Sequence, residues 1–200
     1  DGGPGCRWVG NENGFAGATN WSFLRAGEVY PGYPKYRELQ YGHADGNQWV
    51  AAECDVSIRP GWFYHPEEDD KVKTVDQLTD LYYRSVGHNA TLLLNFPVDR
   101  NGLIHPTDSL NAVSFHQRVQ KELADNLLSS AKVSASDERG GQFKVRAVTD
   151  GKYDTYWATN DGVTTADLTF TFSQPTKMNR VMIQEYIPLG QRVKSFVVEY

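Results

Sequence analysis

The feature of this sequence that most constrains its fold is a helical pattern followed at once by a short apolar run. In "KTVDQLTDLYYRSVGHN", Thr74 and Gln77 have the spacing of a capping box, and Gly87 is placed to end the helix. The next segment, "ATLLLNF", has strand length and is apolar throughout, which is typical of a parallel strand buried on both faces. After a loop, a second helix is predicted, with Thr107 or Asp108 as its N-cap. Helix, buried strand, loop and helix indicate an α/β fold.

The sequence pattern changes on both sides of this unit. Residues 1–70 are rich in Gly, Pro and aromatic side chains, which predicts long loops between short strands, and "CDVSI" is the clearest strand by its alternation. Beyond Leu128, short β-branched and aromatic segments are separated by turn signals such as Asp150-Gly151. We therefore predict two domains, an α/β domain at residues 1–128 and an all-β domain of jelly-roll or β-sandwich type at residues 129–200.

Charge and composition exclude several classes of protein. The chain has 200 residues and a formal net charge of −5, and its Lys and Arg residues are scattered singly. No basic stripe is present for a phosphate backbone, so no nucleic acid is expected as a partner. No apolar run approaches the roughly 18 residues that a membrane span needs. Cys6 and Cys54 form neither a metal quartet nor a disulfide framework, and each is expected to be a small buried side chain.

Both ends of the sequence indicate a segment of a longer protein. The chain opens on "DGGPG" without an initiator methionine, and it stops at "KSFVVEY", an alternation typical of a strand with no element after it. We therefore expect further chain on both sides of this sequence.

Carboxylates and aromatic side chains stand in or beside the predicted loops of the α/β domain. The loops that follow the strands build the sites of α/β barrels, so these residues are the candidates for chemistry. Indole rings pack on the apolar faces of sugars, and carboxyl groups act on glycosidic bonds, so this combination favours a sugar substrate. The candidates are Glu12, Glu53, Asp55, Trp62, His65 and Asn95.

Each of these signals also has a purely structural interpretation. Glu12 could be a solvated charge in a loop, and His65 could be a hydrogen-bonded structural histidine. Trp8 and Trp49 are expected to be core residues, and the acidic run at residues 67–70 is expected to be solvated.

Three stretches of the α/β domain resemble the catalytic barrel of family 29 α-L-fucosidases, in the branch that prefers α-1,3/1,4-linked fucose. They are "CRWVGNENGFAGATNWS", "AECDVSIRPGWFYHPEEDD" and "LLLNFPVDRNGLIHPTD", which occur in this order within residues 1–123. The resemblance implies that residues 1–128 are the C-terminal portion of a (β/α)8-like barrel, and that both this domain and the β domain after it are incomplete in this sequence.

The resemblance further implies a retaining, exo-acting hydrolase that works by double displacement without a cofactor in catalysis. Glu12, in the "WVGNE" stretch, is implied as the acid/base, with Glu53 as the alternative. The aspartate nucleophile is expected upstream of this sequence, because no "WFDGA"-like stretch is present and Asp1 stands too close to Glu12. Trp62 is expected to pack against the apolar face of fucose. The expected substrate-binding residues are Trp62, Arg7, Asp55 and His65.

The last 70 or so residues resemble a different family, the discoidin-like (F5/8 type C) sandwich that serves as a carbohydrate-binding module. The stretches that match this family are "AVTDGKYDTYWAT", "ADLTFTF" and "QRVKSFVVEY". In that family the first stretch often holds a structural calcium ion, so Asp150 and Thr155 are implied as calcium ligands. The alternative is that Asp150-Gly151 forms only a tight turn.

Both resemblances together imply a periplasmic or secreted enzyme that acts on fucosylated oligosaccharides or glycoconjugates. The alternative is a non-catalytic carbohydrate-binding or adhesion protein whose barrel has lost its pair of carboxylates. The upstream residue separates the two, because an aspartate there favours the enzyme and an asparagine or glycine favours the binding protein.

Overall fold

The computed structural model describes residues 5–30 and 32–200, so the "DGGP" part of the opening stretch, with Asp1, lies outside the described residues. The chain divides into two compact units, Asp1–Leu123 and Ala124–Tyr200. The predicted boundary after residue 128 lies five residues beyond this division. No helix among the described residues is long and apolar enough to cross a membrane.

The first unit is a small parallel sheet with two helices. Its elements in chain order are β1 (Cys6–Trp8), β2 (Phe23–Leu24), β3 (Gln48–Trp49), β4 (Ala51–Ser57), α1 (Val75–Ser85), β5 (Ala90–Asn95) and α2 (Pro106–Glu122). The short strands and long loops before residue 70 are as predicted, because glycine and proline interrupt every longer pattern there.

Strands β1, β4 and β5 form one sheet in that order, and both pairings are parallel. Trp8 of β1 lies opposite Glu53 of β4, and Ser57 of β4 lies opposite Asn95 of β5. Strands β2 and β3 form a separate antiparallel pair. Because all three strands of the parallel sheet run in one direction, their C-terminal ends meet at the same edge of the sheet.

Helix α1 begins as the sequence predicts. The Thr74 hydroxyl accepts from the backbone N–H of Gln77 at 3.3 Å, and the Gln77 side chain accepts from the backbone N–H of Thr74 at 2.9 Å. The helix stops at the predicted place: α1 ends at Ser85 with Val86 as its C-cap, and Gly87 is the next residue. The chain continues in a 3-10 turn over Val86–His88, after which Asn89 takes the left-handed conformation with φ of 60°. Asparagine tolerates that conformation better than most other residues with a side chain, so it ends the 3-10 turn.

Strand β5 is parallel as predicted, but it is not buried on both faces. Leu92 and Leu94 pack against the core that Val56 and Leu78 form on the helix side of the sheet. Leu93 points to the other face and is 51% exposed. The prediction fails because β5 is the edge strand of the described sheet, and its second face is not covered.

Helix α2 has a different N-cap from either predicted residue. His105 is the N-cap, and its Nδ1 accepts from the backbone N–H of Thr107 at 3.3 Å. Asp108 is fully buried and binds the guanidinium of Arg59 instead. A buried charged partner satisfies the Asp108 carboxylate better than a solvated helix terminus would.

In the second unit, strands β6 (Lys132–Ala135) and β7 (Leu168–Thr171) form an antiparallel pair in which Lys132 lies opposite Thr171. Strand β7 falls within the predicted "ADLTFTF" stretch. The predicted strand in "KSFVVEY" is not formed, because no described backbone pairs with residues 194–200.

Candidate active site

The C-terminal edge of the parallel sheet brings together three of the predicted site residues. Glu12 lies in the loop after β1, Trp62 lies in the loop after β4, and Asn95 is the last residue of β5. Parallel α/β sheets build their sites at this edge because the loops that leave each strand meet there. Three of the predicted site residues therefore lie in one region of the structure.

The Glu12 carboxyl group has a defined partner in this region. Its Oε2 accepts a hydrogen bond from the indole N–H of Trp62, with 3.0 Å between the two heavy atoms. The Glu12 side chain is otherwise exposed to solvent. One oxygen of the carboxyl is thus held by the protein, on a side chain that is exposed to solvent.

The loop that carries Glu12 is shaped by its own polar side chains and by glycine. Asn11 accepts from the backbone N–H of Asn13 at 2.9 Å and donates to the carbonyl of Phe15 at 3.2 Å. Gly14 has φ of +78°, and a Cβ there would lie 2.7 Å from a methyl group of Val56. Only glycine allows the loop to return so closely to the sheet, which fixes where Glu12 stands.

The loop that carries Trp62 is closed by Asn95. The side-chain NH2 group of Asn95 donates to the Ser57 hydroxyl and to the Trp62 carbonyl, each at 3.1 Å. The backbone carbonyl of Asn95 accepts from Ile58 at 3.0 Å. One residue of β5 therefore binds both ends of the five-residue segment 58–62.

A buried ion pair anchors the same loop to the start of α2. The Arg59 guanidinium binds both oxygens of Asp108 at 2.8 Å, and its Nη1 binds Asp69 at 2.8 Å. The ring of Tyr64 lies 4.7 Å from the guanidinium carbon. Hydrogen bonding from Arg59 holds the pKa of Asp69 below its ordinary value, and hydrogen bonding to Asp108 raises the pKa of Arg59. Asp69 is therefore not the solvated charge that the acidic run predicted.

The other two carboxylates of the predicted site lie on one face of the sheet, below the edge. Asp55 accepts from the indole N–H of Trp8 at 2.7 Å, and Glu53 accepts from the Cys6 thiol at 3.6 Å. This is the face opposite the helices, because alternate residues of a strand point to opposite sides.

Trp8, Trp49 and Cys6 are not core residues. Trp8 is 44% exposed and Trp49 is 40% exposed. Cys6 is exposed while Cys54 is fully buried, so the prediction for the cysteines holds only for Cys54. The prediction fails for Trp8 and Cys6 because both lie on the uncovered face of the sheet.

Arg7 and His65 are not brought to Glu12 by any described contact. Arg7 is buried, and its guanidinium donates to the carbonyls of Leu39 at 2.8 Å and Val50 at 2.9 Å and to the Asn20 side chain. Burial lowers the pKa of Arg7 to about 10. His65 is exposed, and the Glu67 oxygen that lies 4.0 Å from its Nδ1 is beyond hydrogen-bond distance, which does not favour the interpretation as a hydrogen-bonded structural histidine.

The candidate calcium ligands lie together in the second unit. One oxygen of Asp150 accepts from the Thr155 hydroxyl at 2.7 Å, and the other accepts from the backbone N–H of Lys152 at 2.9 Å. The Thr155 hydrogen bond is the main cause that lowers the pKa of Asp150. No group of three or more His, Cys, Asp or Glu side chains that could hold a metal ion occurs in the described part of the chain.

Known proteins are similar to this chain both over its whole length and over its second unit alone. The whole chain is 39% identical, over 207 residues, to "Alpha-L-fucosidase 1" of Arabidopsis thaliana, of which it covers 40%. The chain is similar to an alpha-L-fucosidase along its entire length. Residues 131–200 match the F5/8 type C domain family. The chain spans about two fifths of the length of the curated relatives that it matches.

Solved structures give the same result. A glycoside hydrolase 29 family member from an unknown rumen bacterium is 45% identical with a TM-score of 0.60, over 69% of this chain and 24% of that one. The Ruminococcus gnavus GH29 fucosidase, solved in complex with fucose, is 34% identical with a TM-score of 0.71, over 82% of this chain and 33% of that one. Both are glycoside hydrolases of family 29, so the mixed α/β unit of this chain is similar in fold to part of such enzymes.

Proposed function

We propose that this chain is a segment of a family 29 glycoside hydrolase, a retaining, exo-acting α-L-fucosidase that releases α-1,3/1,4-linked fucose from fucosylated glycans. The observation that carries the proposal is the Glu12 carboxyl at the C-terminal edge of a parallel sheet, held by Trp62, in a chain similar along its whole length to an alpha-L-fucosidase. The parallel order of β1, β4 and β5 supports the view that this unit is a portion of a (β/α)8 barrel.

In this mechanism, an aspartate outside the chain attacks C1 of fucose while Glu12 protonates the departing glycosidic oxygen. The C1–O bond breaks, and an ester bond forms between the sugar and the aspartate. Glu12, now ionised, then takes a proton from water, whose oxygen attacks C1 and releases the aspartate. Such a pair of carboxyl groups stands about 5–5.5 Å apart in retaining enzymes. Glu12 is preferred to Glu53 because Glu53 lies below the edge, beside the Cys6 thiol.

The other residues predicted to bind substrate differ in their exposure, and we assign their roles accordingly. Trp62, whose indole is only half-buried, would pack its ring against the apolar face of fucose. Asp55 is half-buried and His65 is exposed, and both would bind sugar hydroxyls. Arg7 would support the loops of this unit instead of binding the sugar directly, because its buried guanidinium donates to protein oxygens.

The second unit would be a carbohydrate-binding module with a structural calcium ion. Its family match supports the module, and the adjacent hard oxygens of Asp150 and Thr155 support two of the six to eight ligands that calcium takes. Calcium would stabilise the turn and take no part in the hydrolysis.

A secreted or periplasmic location belongs to the same proposal, since fucosylated glycans are met there. Fractionation of the source cells tests this location.

The test is hydrolysis by the intact parent protein of 4-nitrophenyl α-L-fucoside and of a Lewis-type fucosylated trisaccharide. Glu12→Gln should lose trisaccharide turnover by about 10²- to 10⁴-fold, the usual contribution of a general acid. It should retain more activity on the aryl substrate, whose leaving group needs little protonation. Azide should restore the rate of Glu12→Gln on the aryl substrate. The product should be an α-configured fucosyl azide, because two inversions retain the configuration.

Two further variants make the test decisive. Glu28→Gln is the matched control, an exposed glutamate that pairs with Arg25 in the described part of the chain, and it should leave both rates unchanged. Glu53→Gln tests the alternative acid. If Glu12→Gln behaves as wild type on both substrates, Glu12 is a solvated loop charge. If the wild-type protein binds fucosylated glycans without hydrolysing either substrate, the protein is a binding protein and not an enzyme.

A further inference from the structure

Asn95, Trp62 and Glu12 form a continuous line of hydrogen bonds across the C-terminal ends of the three parallel strands. The Asn95 side chain, at the end of β5, donates to the Trp62 carbonyl at 3.1 Å. The indole of that same Trp62, in the loop after β4, donates to Glu12 Oε2 at 3.0 Å. Glu12 stands in the loop after β1. The line therefore reaches from one edge strand of the described sheet to the other.

The line determines which oxygen of Glu12 can deliver a proton. An indole N–H is a donor only, so the carboxyl oxygen that it binds has to accept. In a protonated carboxyl group the carbonyl-type oxygen is the better hydrogen-bond acceptor. Oε2, which accepts from the indole, is therefore the carbonyl-type oxygen, and the acidic hydrogen lies on Oε1. Oε2 is thus the held oxygen, and Oε1 is the oxygen that carries the proton for transfer.

We propose that Asn95 is a positioning residue that acts through Trp62 to hold the Glu12 carboxyl with Oε2 bound and Oε1 free to protonate the leaving oxygen. This inference rests on the proposed function of Glu12. It gives Trp62 a second role beside packing against the sugar, because the ring face and the N–H edge are separate parts of the indole.

The Asn95 side chain is well placed for this role. It binds both Ser57, where the segment 58–62 leaves the sheet, and Trp62, where the segment ends. Its removal would free the end of that segment while the Arg59 and Asp108 pair still anchors its beginning. The expected defect is therefore a misplaced indole on a folded unit. A shift of the acid by about 1 Å is enough to impair proton transfer severely.

The experiment compares Asn95→Ala, Trp62→Phe and the double variant in the intact protein, on the trisaccharide and on 4-nitrophenyl α-L-fucoside. Each single variant should lower kcat on the trisaccharide by about tenfold or more, a part of the 10²–10⁴ that a general acid supplies, with a much smaller loss on the aryl substrate. KM should change little in Asn95→Ala, because Asn95 itself does not touch the sugar in this proposal. The double variant should be no worse than Trp62→Phe, because Asn95 acts through the indole.

Asn111→Ala is the matched control. Asn111 is also half-buried and donates from its side chain to a backbone carbonyl, that of Lys73, at 3.0 Å. Asn111→Ala should lose about as much stability as Asn95→Ala. Its activity on the trisaccharide relative to the aryl substrate should not change. Equal losses on both substrates for Asn95→Ala, or independent effects in the double variant, would overturn the proposal. Asn95→Asp, which keeps the shape and loses the donor, replaces Asn95→Ala if that variant does not fold.

A second measurement does not depend on activity. In ¹H–¹⁵N spectra the indole signal of Trp62, identified by its loss in Trp62→Phe, should move in Glu12→Ala and in Asn95→Ala and stay in place in Asn111→Ala. If the wild type hydrolyses neither substrate but the signal moves as stated, the hydrogen-bonded line holds and the fucosidase proposal fails. If the Trp62 indole signal keeps its position in Asn95→Ala, the positioning role is refuted whatever the activity.

Discussion

At the scale of single residues, Arg59 and Asp108 form a buried ion pair in the first unit, and removal of one partner would leave the other charge buried. Both side chains are fully buried, and two hydrogen bonds of 2.8 Å join them. Asp108→Ala would leave the guanidinium buried with Asp69 as its remaining partner. We expect a loss of about 3–5 kcal/mol in the free energy of unfolding, the usual cost of breaking a buried pair. Urea unfolding of the variant beside wild type measures it.

The control for this prediction is Asp80→Ala. Asp80 pairs with Arg84 one turn along α1 at 3.4 Å, and both side chains are exposed. Pairs of this kind contribute about 0.3–0.5 kcal/mol, so this variant should unfold almost as wild type does. Similar losses for the two variants would mean that the buried pair adds no more than a surface pair.

The sequence identified single residues better than their partners. Glu12, Trp62 and Asn95 could be selected because each stands in or beside a predicted loop, and loops after strands build α/β sites. Their hydrogen bonds join residues 50 and 33 positions apart in the chain, and no local pattern records such a pairing. Asp108 was misinterpreted as a helix cap for the same reason, since its true partner lies 49 positions earlier.

At the scale of secondary-structure elements, the two helices differ in what holds their first turns. Thr74 caps α1 with a reciprocal pair of hydrogen bonds. Thr107 stands in the first turn of α2, where His105 is the cap. Thr74→Ala should lower the free energy of unfolding by about 1 kcal/mol, while Thr107→Ala should cost much less, because alanine is a good helix former. Thermal unfolding of both variants measures the difference, and a larger loss for Thr107→Ala would contradict the assignment of the caps.

Element boundaries that depend on local chemistry could be predicted, and those that depend on neighbours could not. The capping box of α1 is local, so the sequence predicted the start of that helix correctly. The exposure of Leu93 depends on which strands lie beside β5, and a run of apolar residues looks the same at the edge of a sheet as at its centre. The left-handed Asn89 is fixed by its contacts with the Asn20 carbonyl and the Ser22 hydroxyl, each at 3.1 Å, which also lie far away in the sequence.

At the scale of the whole molecule, the chain joins two units of different architecture, and a ligand of one unit should stabilise that unit alone. If calcium binds at Asp150 and Thr155, it should raise the unfolding temperature of residues 124–200 and leave that of the first unit unchanged. A ligand at 100 times its Kd adds about 2.7 kcal/mol to the stability of the state that binds it. Calorimetric unfolding with calcium chloride and with a chelator measures this effect in each transition.

Two variants decide whether that shift arises from the proposed turn. Asp150→Asn should abolish it, because calcium favours charged oxygen ligands. Asp167→Asn, a change at an exposed aspartate outside the turn, should retain it. Magnesium should not replace calcium, since it requires a stricter octahedral shell. A chain that melts identically with calcium and with the chelator would mean that Asp150 only closes a tight turn, through the hydrogen bonds from Lys152 and Thr155 that already satisfy both of its oxygens.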